Sequence, residues 1–308
     1  MAFDSLPEMV LDRRQQPSAA PFRRQRRPEE RVRALGTVLD FVRPQEVMLA
    51  LRRAVEARHQ AVIANHNAHS LRLMRGDPEF AAFFEAADLV QIDSQPLILW
   101  SMLLGRRSRR FHRSTYLDWR DDFWTLAQSQ GWRVFYLGGA PGVVEQAAWN
   151  IRQDYPRARI GGRNGFFDAA PGSRENAAVL AELEAFEPDV LLVGMGMPRQ
   201  ELWIARNRAR LPSCPILPVG GAFDYEAGVQ RPAPRWMGRV GLEWAFRLAQ
   251  DPRRLFHRYC LEPWGLVGPL ALDLAGRVSE GARRADPAEL EADAIRAAVA
   301  RRGEWRAR

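Results

Sequence analysis

Lysine is absent from all 308 residues, so every one of the 45 basic side chains is an arginine. That excludes the phosphate-binding loop built around a lysine. Cysteine is nearly absent as well. Cys214 and Cys260 stand alone, with neither metal-ligand spacing nor a disulfide framework, which suits a reducing compartment and implies no zinc site. No run reaches the roughly 18 apolar residues of a membrane-spanning helix, and the first residues carry no apolar stretch of the secretory kind. The expectation is a chain on the cytoplasmic side. A D-x-D triplet, a G-x-G-x-x-G fingerprint and any internal repeat are also missing.

What is present is an arginine excess, with a formal net charge of +8. Such an excess suits nucleic acid, anionic lipid or phosphate-bearing substrates. Its distribution suggests two solvated tails, residues 1–33 with "FRRQRRPEERVR" and residues 277–308 with "RVSEGARRADP" and "ARRGEWRAR". No recognised binding motif or aromatic RNA signature accompanies the arginines, so specific nucleic-acid binding is not expected.

Between the tails, strand-like and helix-like segments alternate. "LGTVLDF", "QAVIAN", "LVQI", "WRVFYLGG", "ARIGG", "PDVLLVGMG" and "PILPVGG" read as strands, and amphipathic stretches between them read as helices. This alternation predicts an α/β domain over 34–231 with a parallel sheet covered on both faces. From residue 232 the alternation stops, and 232–276 reads as a helical appendage. "WGLVGPLALDLAG" within it suits either a bilayer surface or a core helix.

Three strand ends are rich in glycine: "YLGGAPG" with Gly138 and Gly139, "LVGMGMPRQE" with Gly194, Gly196, Gln200 and Glu201, and "PVGGAFDYEAG" with Asp224. Glycines there let backbone amides approach a ligand, and the helix N-termini that follow favour an anion such as a diphosphate. Any one loop is also explained as a tight strand-to-helix turn. "LVQIDSQPLILW" puts a single carboxylate, Asp93, between an apolar strand and an apolar helix, where ligands of open α/β sheets bind. The plain alternative is a helix N-cap. Glu243 and Arg247, four apart, suit either a surface ion pair or one face of a phosphate clamp.

In order along the chain, "NAHSLRLMRGDPEF", "ADLVQIDSQPLILW", "RVFYLGGAPGVVEQAA", "NGFF", "PDVLLVGMGMPRQE", "GGAFDYEAG", "RPAPRWM" and "GLEWAFRLAQDPRRLFHRY" resemble the WecG/TagA/CpsF-type bacterial glycosyltransferases, glycosyltransferase family 26. The resemblance runs from about Gly36 to Trp264. It implies a Rossmann-like parallel sheet with helices on both faces plus a C-terminal helical, membrane-associating appendage. The activity it implies is metal-independent, inverting transfer of a sugar from a UDP-sugar to a polyprenyl-diphosphate-linked acceptor, with no cofactor. The sugar would be of N-acetylmannosamine type, glucose type or related, and the product an exopolysaccharide or another cell-surface polysaccharide. The partners implied are the donor, the lipid acceptor, the inner face of the cytoplasmic membrane and a second copy of the chain in a homo-oligomer.

The family's catalytic carboxylate falls on Asp93, as the base that takes the acceptor's proton. The substrate-binding positions fall on Asn65, Asn67, Arg113, Asp118, Phe166 and Asp224, with the glycine loops and with Arg231, Arg247 and Arg258 toward the diphosphate. Departures from the family pattern are Ser94 for the glycine after the aspartate, Asn65 for a threonine, Tyr116 for a glycine and Phe166 for a tyrosine. They leave the reaction class standing and bear on which sugar is carried. A dinucleotide-dependent oxidoreductase on a similar sheet is the alternative. It lacks both the glycine fingerprint and the acidic residue after a second strand.

Overall fold

The computed structural model describes residues 31–103, 108–234, 237, 242–268 and 270–275. The expected tails lie outside them, except for 31–33. Those three residues correct the boundary placed at 34. Strand β1 (Arg31–Ala34) pairs antiparallel with β2 (Thr37–Asp40). Leu35 and Gly36 turn between them with φ of 57° and 76°. Arg31 belongs to the fold because its guanidinium donates to the carbonyl of Ala87 at 3.0 Å, and Arg33 pairs with Glu85 at 2.7 Å.

The helices and strands then alternate. In order they are α1 (Pro44–Glu56), β3 (Ile63–His66), α2 (Ala68–Gly76), α3 (Pro78–Ala86), β4 (Leu89–Ile92), α4 (Gln95–Leu103), α5 (Tyr116–Gln130), β5 (Arg133–Gly138) and α6 (Val143–Asp154). They continue as β6 (Arg159–Arg163), α7 (Arg174–Phe186), β7 (Val190–Gly194), α8 (Arg199–Asn207), β8 (Ile216–Pro218) and the short α9 (Ala222–Glu226). Local chemistry sets several boundaries. Pro44 opens α1, Asp77 accepts from Phe80 N at 3.0 Å to open α3 after the Gly76 break, and Gly131 closes α5 at φ 68°.

The sheet is parallel, ordered β6-β5-β7-β8. A bridge between Val62 and Ile216, with Ile216 N donating to Ala61 O at 2.8 Å, carries it on to the parallel pair β3-β4. Strand alternation then divides the core. Val134, Tyr136, Val190, Leu192 and Leu217 pack with α1, α5, α6 and α9, while Phe135, Leu137, Leu191, Val193 and Ile216 pack with α3, α7 and α8. Helices therefore cover both faces. Because β6 lies outside β5 while β7 returns on its other side, the strand order reverses there, and the carboxyl ends open a crevice.

A third cluster joins the hairpin, Ile92, Leu97 and Ile98 to Leu266. Leu266 belongs to the C-terminal segment, which runs as α10 (Glu243–Gln250), α11 (Pro252–Phe256), a π turn and a 3-10 turn. Buried Glu262 anchors it to α2, accepting from His69 at 2.6 Å and Arg72 at 2.8 Å. Of "WGLVGPLALDLAG", the core reading holds for one residue, and others face outward. Leu266 is buried in the core, while Trp264, Val267 and Leu272 are exposed. Among the described residues, no helix is long and apolar enough to cross a membrane.

Candidate active site

Asp93 sits one residue beyond β4. Its N–H donates to His66 O at 2.9 Å, extending the β3-β4 pairing before the chain turns into α4. Its carboxylate forms no hydrogen bond with the first-turn amides of α4 among the described residues, so the cap reading has no contact behind it. The carboxylate lies instead 3.9 Å from Arg113, with 29% of the side-chain surface still open. Burial pushes its pKa up to about 6, against the pull of Arg113 and Arg247 and with the help of Glu243 and Asp118.

Arg113 is placed by a bridge between its backbone and Ile92. From there it reaches the Asp93 carbonyl at 3.4 Å, the Asp118 carboxylate at 3.9 Å and, in direct contact, Glu243. Asp118 itself caps α5, accepting from Thr115 N at 3.0 Å and Thr115 Oγ1 at 2.8 Å. It lines a separate wide depression beside Arg113 rather than the space in front of Asp93.

Two cavities meet at Asp93. The larger, about 590 Å³, runs along the carboxyl ends of the sheet, past Asn65, Asn67, Gly139, Phe166, Gly194, Gly196, Gln200 and Asp224. The smaller, about 260 Å³, lies between α2, the start of α4 and the C-terminal segment, lined by His69, Gln95, Arg113, Trp244 and Tyr259. Asn67, Asp93, Glu243, Arg247 and Arg258 belong to both walls. One carboxylate therefore faces two adjoining spaces, each large enough for part of a substrate.

The glycine loops form the floor of the larger cavity. A side chain at Gly194 has no room, because a Cβ there would lie 2.0 Å from Tyr136 Oη and 2.5 Å from Gly220 O. Tyr136 Oη in turn donates to Gly220 O at 3.2 Å, tying the loop after β8 to β5. Gly138 packs against Gly194 and does not reach the cavity wall. Gln200 locks two loops together, its Oε1 accepting from Gly196 N and Gly220 N, both at 3.2 Å. Its amide nitrogen donates to Glu201 at 2.7 Å. Glu201 is fully buried behind that wall, and burial raises its pKa to about 7.

The structure thus gathers Asn65, Asn67, Asp93, Gly139, Phe166, Gly194, Gly196, Gln200, Asp224, Arg247 and Arg258 around one space, with Arg113 adjoining it. It does not bring Arg231 there. That residue is exposed and lines neither cavity, its carbonyl accepting from Gln250 at 3.2 Å. Sequence reasoning missed Glu243 as a wall residue, along with Gln91 and Trp119 of the larger cavity and Tyr259 of the smaller. The spacing of Glu243 and Arg247 was a usable clue. Gln91 and Trp119 read as an ordinary strand residue and an ordinary core aromatic. Among the described residues, no group of three His, Cys, Asp or Glu side chains is gathered to hold a metal ion.

The sequence model of the glycosyl transferase WecG/TagA/CpsF family matches residues 32–278. Similar proteins include the N-acetylglucosaminyldiphosphoundecaprenol N-acetyl-beta-D-mannosaminyltransferases of Staphylococcus aureus strains MW2, NCTC 8325 / PS 47 and COL. Each is 31% identical over 144 residues, which is 47% of this chain and 55% of the relative. The chain therefore spans about half the length of the curated relatives it matches. The family match, by contrast, takes in the sheet, both cavities and the C-terminal segment, and this chain belongs to the glycosyl transferase WecG/TagA/CpsF family.

Proposed function

We propose that the protein is an inverting, metal-independent glycosyltransferase that moves a hexose-type sugar from a UDP-sugar to a polyprenyl-diphosphate-linked acceptor in cell-surface polysaccharide synthesis. The observation that carries this reading is the position of Asp93 in the wall common to two cavities, one of them floored by glycine-loop backbone. The donor occupies the larger cavity. Its diphosphate lies over the loops after β5, β7 and β8, with the uracil toward Phe166 and Asp224. The acceptor hydroxyl enters from the smaller cavity within reach of the Asp93 carboxylate.

Asp93 accepts the hydroxyl proton as the acceptor oxygen forms its bond to the anomeric carbon. The bond from that carbon to the diphosphate oxygen breaks on the opposite face, and UDP leaves with the electron pair, which inverts the centre. Arg247 and Arg258, partly buried in both walls, and the loop amides carry the charge that develops on the diphosphate. Trp244 of the smaller cavity is exposed, as are Phe256, Leu261 and Trp264 farther along the same segment, which suits an acceptor held at a membrane surface. The relatives' names specify a diphosphoundecaprenol-linked acceptor, which supports a lipid-linked acceptor for this chain.

The test combines binding and turnover. UDP and UDP-sugars are expected to raise the melting temperature while NAD does not. Transfer to a short-chain lipid-diphosphate sugar is expected to proceed unchanged in chelator. Stabilisation by NAD alone would replace the reading with the oxidoreductase alternative. A strict magnesium or manganese requirement would remove the arginine account of the leaving group.

A further inference from the structure

The smaller cavity has a histidine in its wall that the transfer step leaves unused. His69 is the second residue of α2, just past the carboxyl end of β3, and its side chain keeps 18% of its surface open. One edge of the ring is fixed. Nδ1 lies 2.6 Å from Oε2 of Glu262, a buried carboxylate whose other oxygen meets Arg72 at 2.8 Å and His257 at 3.3 Å. Burial raises the Glu262 pKa, but His69, Arg72 and His257 together hold it below the ordinary value, so the group is ionised. A carboxylate only accepts, so Nδ1 is the nitrogen that carries the proton. The opposite nitrogen, Nε2, has no hydrogen-bond partner among the described residues.

The surroundings set the charge as well as the tautomer. Burial is the leading cause of a lowered His69 pKa, opposed by the hydrogen bond to Glu262 and reinforced by Arg258 and Arg72. A place in the first turn of a helix also disfavours a cation. The ring is therefore neutral at pH 7, with a lone pair on Nε2. Such a nitrogen accepts from a hydroxyl or an N–H and gains nothing from a diphosphate, which has no proton to offer. The rest of the wall fits a sugar ring. Trp244 and Tyr259 supply aromatic surface, and Asp93 stands in the same wall. A pyranose has C–H faces for the aromatics and hydroxyls around its edge for the polar groups.

We propose that His69, held by Glu262, recognises the acceptor sugar by accepting a hydrogen bond from a hydroxyl other than the one that reacts. The inference rests on the reading of the smaller cavity as the acceptor site. Asp93 takes the reacting hydroxyl and His69 Nε2 takes a second, so the sugar is fixed at two points of its edge. Glu262 is a positioning residue. The contact with which it ties the C-terminal segment to α2 also decides which ring nitrogen is free to meet the acceptor. Docking of that segment and recognition of the acceptor thus share one hydrogen bond.

The experiment measures equilibrium binding by calorimetry with UDP present, so that it does not depend on transfer. The probes are a short-chain lipid-diphosphate N-acetylglucosamine, matching the acceptor in the relatives' names, and analogues that each lack one ring hydroxyl. Wild-type protein is expected to bind two analogues roughly tenfold more weakly than the parent, the loss of about one hydrogen bond each. One lacks the reacting hydroxyl and the other the partner of His69. His69→Phe should weaken the parent about tenfold and abolish the second penalty while keeping the first, the non-additivity of groups in contact. His69→Gln, which returns an acceptor near the position of Nε2, should restore most of that penalty, and Glu262→Gln should shrink it in part. UDP affinity equal to wild type would show that each variant is folded. Penalties in His69→Phe that match wild type for every analogue would overturn the inference, as would a parent affinity that the substitution leaves unchanged. A second penalty untouched by Glu262→Gln would remove the positioning role of that residue. If the wild-type protein bound UDP but no lipid-diphosphate sugar, the acceptor reading itself would fall before any variant was made.

Discussion

Asp93, just beyond β4, and Glu201, in the first turn of the helix that follows β7, are carboxyl groups that differ in what surrounds them. Asp93 and Glu201 both have raised pKa values, about 6 and about 7, and burial is the leading cause in both. Asp93, however, opens onto two cavities and has Arg113 3.9 Å away. Glu201 lies sealed behind Gln200, with one hydrogen bond to one oxygen and none to the other among the described residues. Desolvation alone thus produces a poised carboxyl. Access and a nearby cation decide whether it can exchange a proton with a substrate. Glu262 completes the comparison. Burial acts on it too, but His69 and Arg72 outweigh burial and hold its pKa below the ordinary value.

The sharpest break of the comparison is to neutralise each carboxyl in turn. Asp93→Asn should lower turnover by about 10²–10⁴-fold, the usual worth of general-base assistance, while UDP affinity stays near wild type. Glu201→Gln keeps the acceptor for the Gln200 amide and should leave the chemical step within a few-fold of wild type. Steady-state rates with a fixed lipid acceptor, alongside calorimetric UDP binding, decide both. Comparable losses in the two variants would erase the distinction between an open and a sealed carboxyl.

Next in size are the arginines shared by both cavities. Arg247→Ala or Arg258→Ala should cost roughly 10²-fold in turnover, since each removes a charge-assisted donor from the wall where the proposed function puts the leaving group. Arg231→Ala should cost much less, because Arg231 is exposed and lines neither cavity. Liposome binding should change little in any of the three, at about 1 kcal/mol per arginine near an anionic surface. An Arg231 variant as damaged as the other two would place a diphosphate contact outside the described cavities.

The sequence made the sheet readable because its strands are short apolar runs with turn residues at their ends, and "LVQI" coincides with β4. It hid β1, because "RVRA" continues an arginine cluster and its pairing partner becomes evident only once Leu35 and Gly36 turn the chain. Asp93 was conspicuous as a lone charge after an apolar strand. Glu243 was not, because a carboxylate four residues from an arginine on a helix looks like a surface pair until Arg113 is seen to meet it from the sheet side. Gln91 is recognisable as a cavity-wall residue only through its register with Asn65, a relation that no spacing along the chain expresses.

The pH dependence separates the two carboxyls kinetically. A base must be ionised to work, so kcat/KM should rise about tenfold per pH unit on the acid side and level off above about 6, the pKa of Asp93. Asp93→Glu should shift that limb, whereas Glu201→Gln should leave it in place. A limb that moves with the Glu201 substitution would identify the sealed carboxyl as the titrating group.

The smallest effect concerns stability alone. Glu201 holds its proton more tightly when folded, near pH 7, than an ordinary glutamate near 4.5 does when unfolded. The native state therefore binds more protons than the unfolded state between those values, and stability contributed by this group falls as pH rises through that window. Glu201→Gln removes the titration. The melting temperature of the variant relative to wild type should thus climb between pH 5 and pH 8, by a few degrees. Asp93→Asn should show the same sign over a lower window, from about 4 to about 6, and a smaller gain, because part of the Asp93 side chain stays in contact with solvent and Arg113 already offsets its charge. Differential scanning calorimetry over the range from about pH 4 to about pH 8 measures both. A Glu201→Gln difference that stays constant with pH would mean that the buried carboxyl is ionised at no cost, and the contrast between the two carboxyls would then rest on access alone.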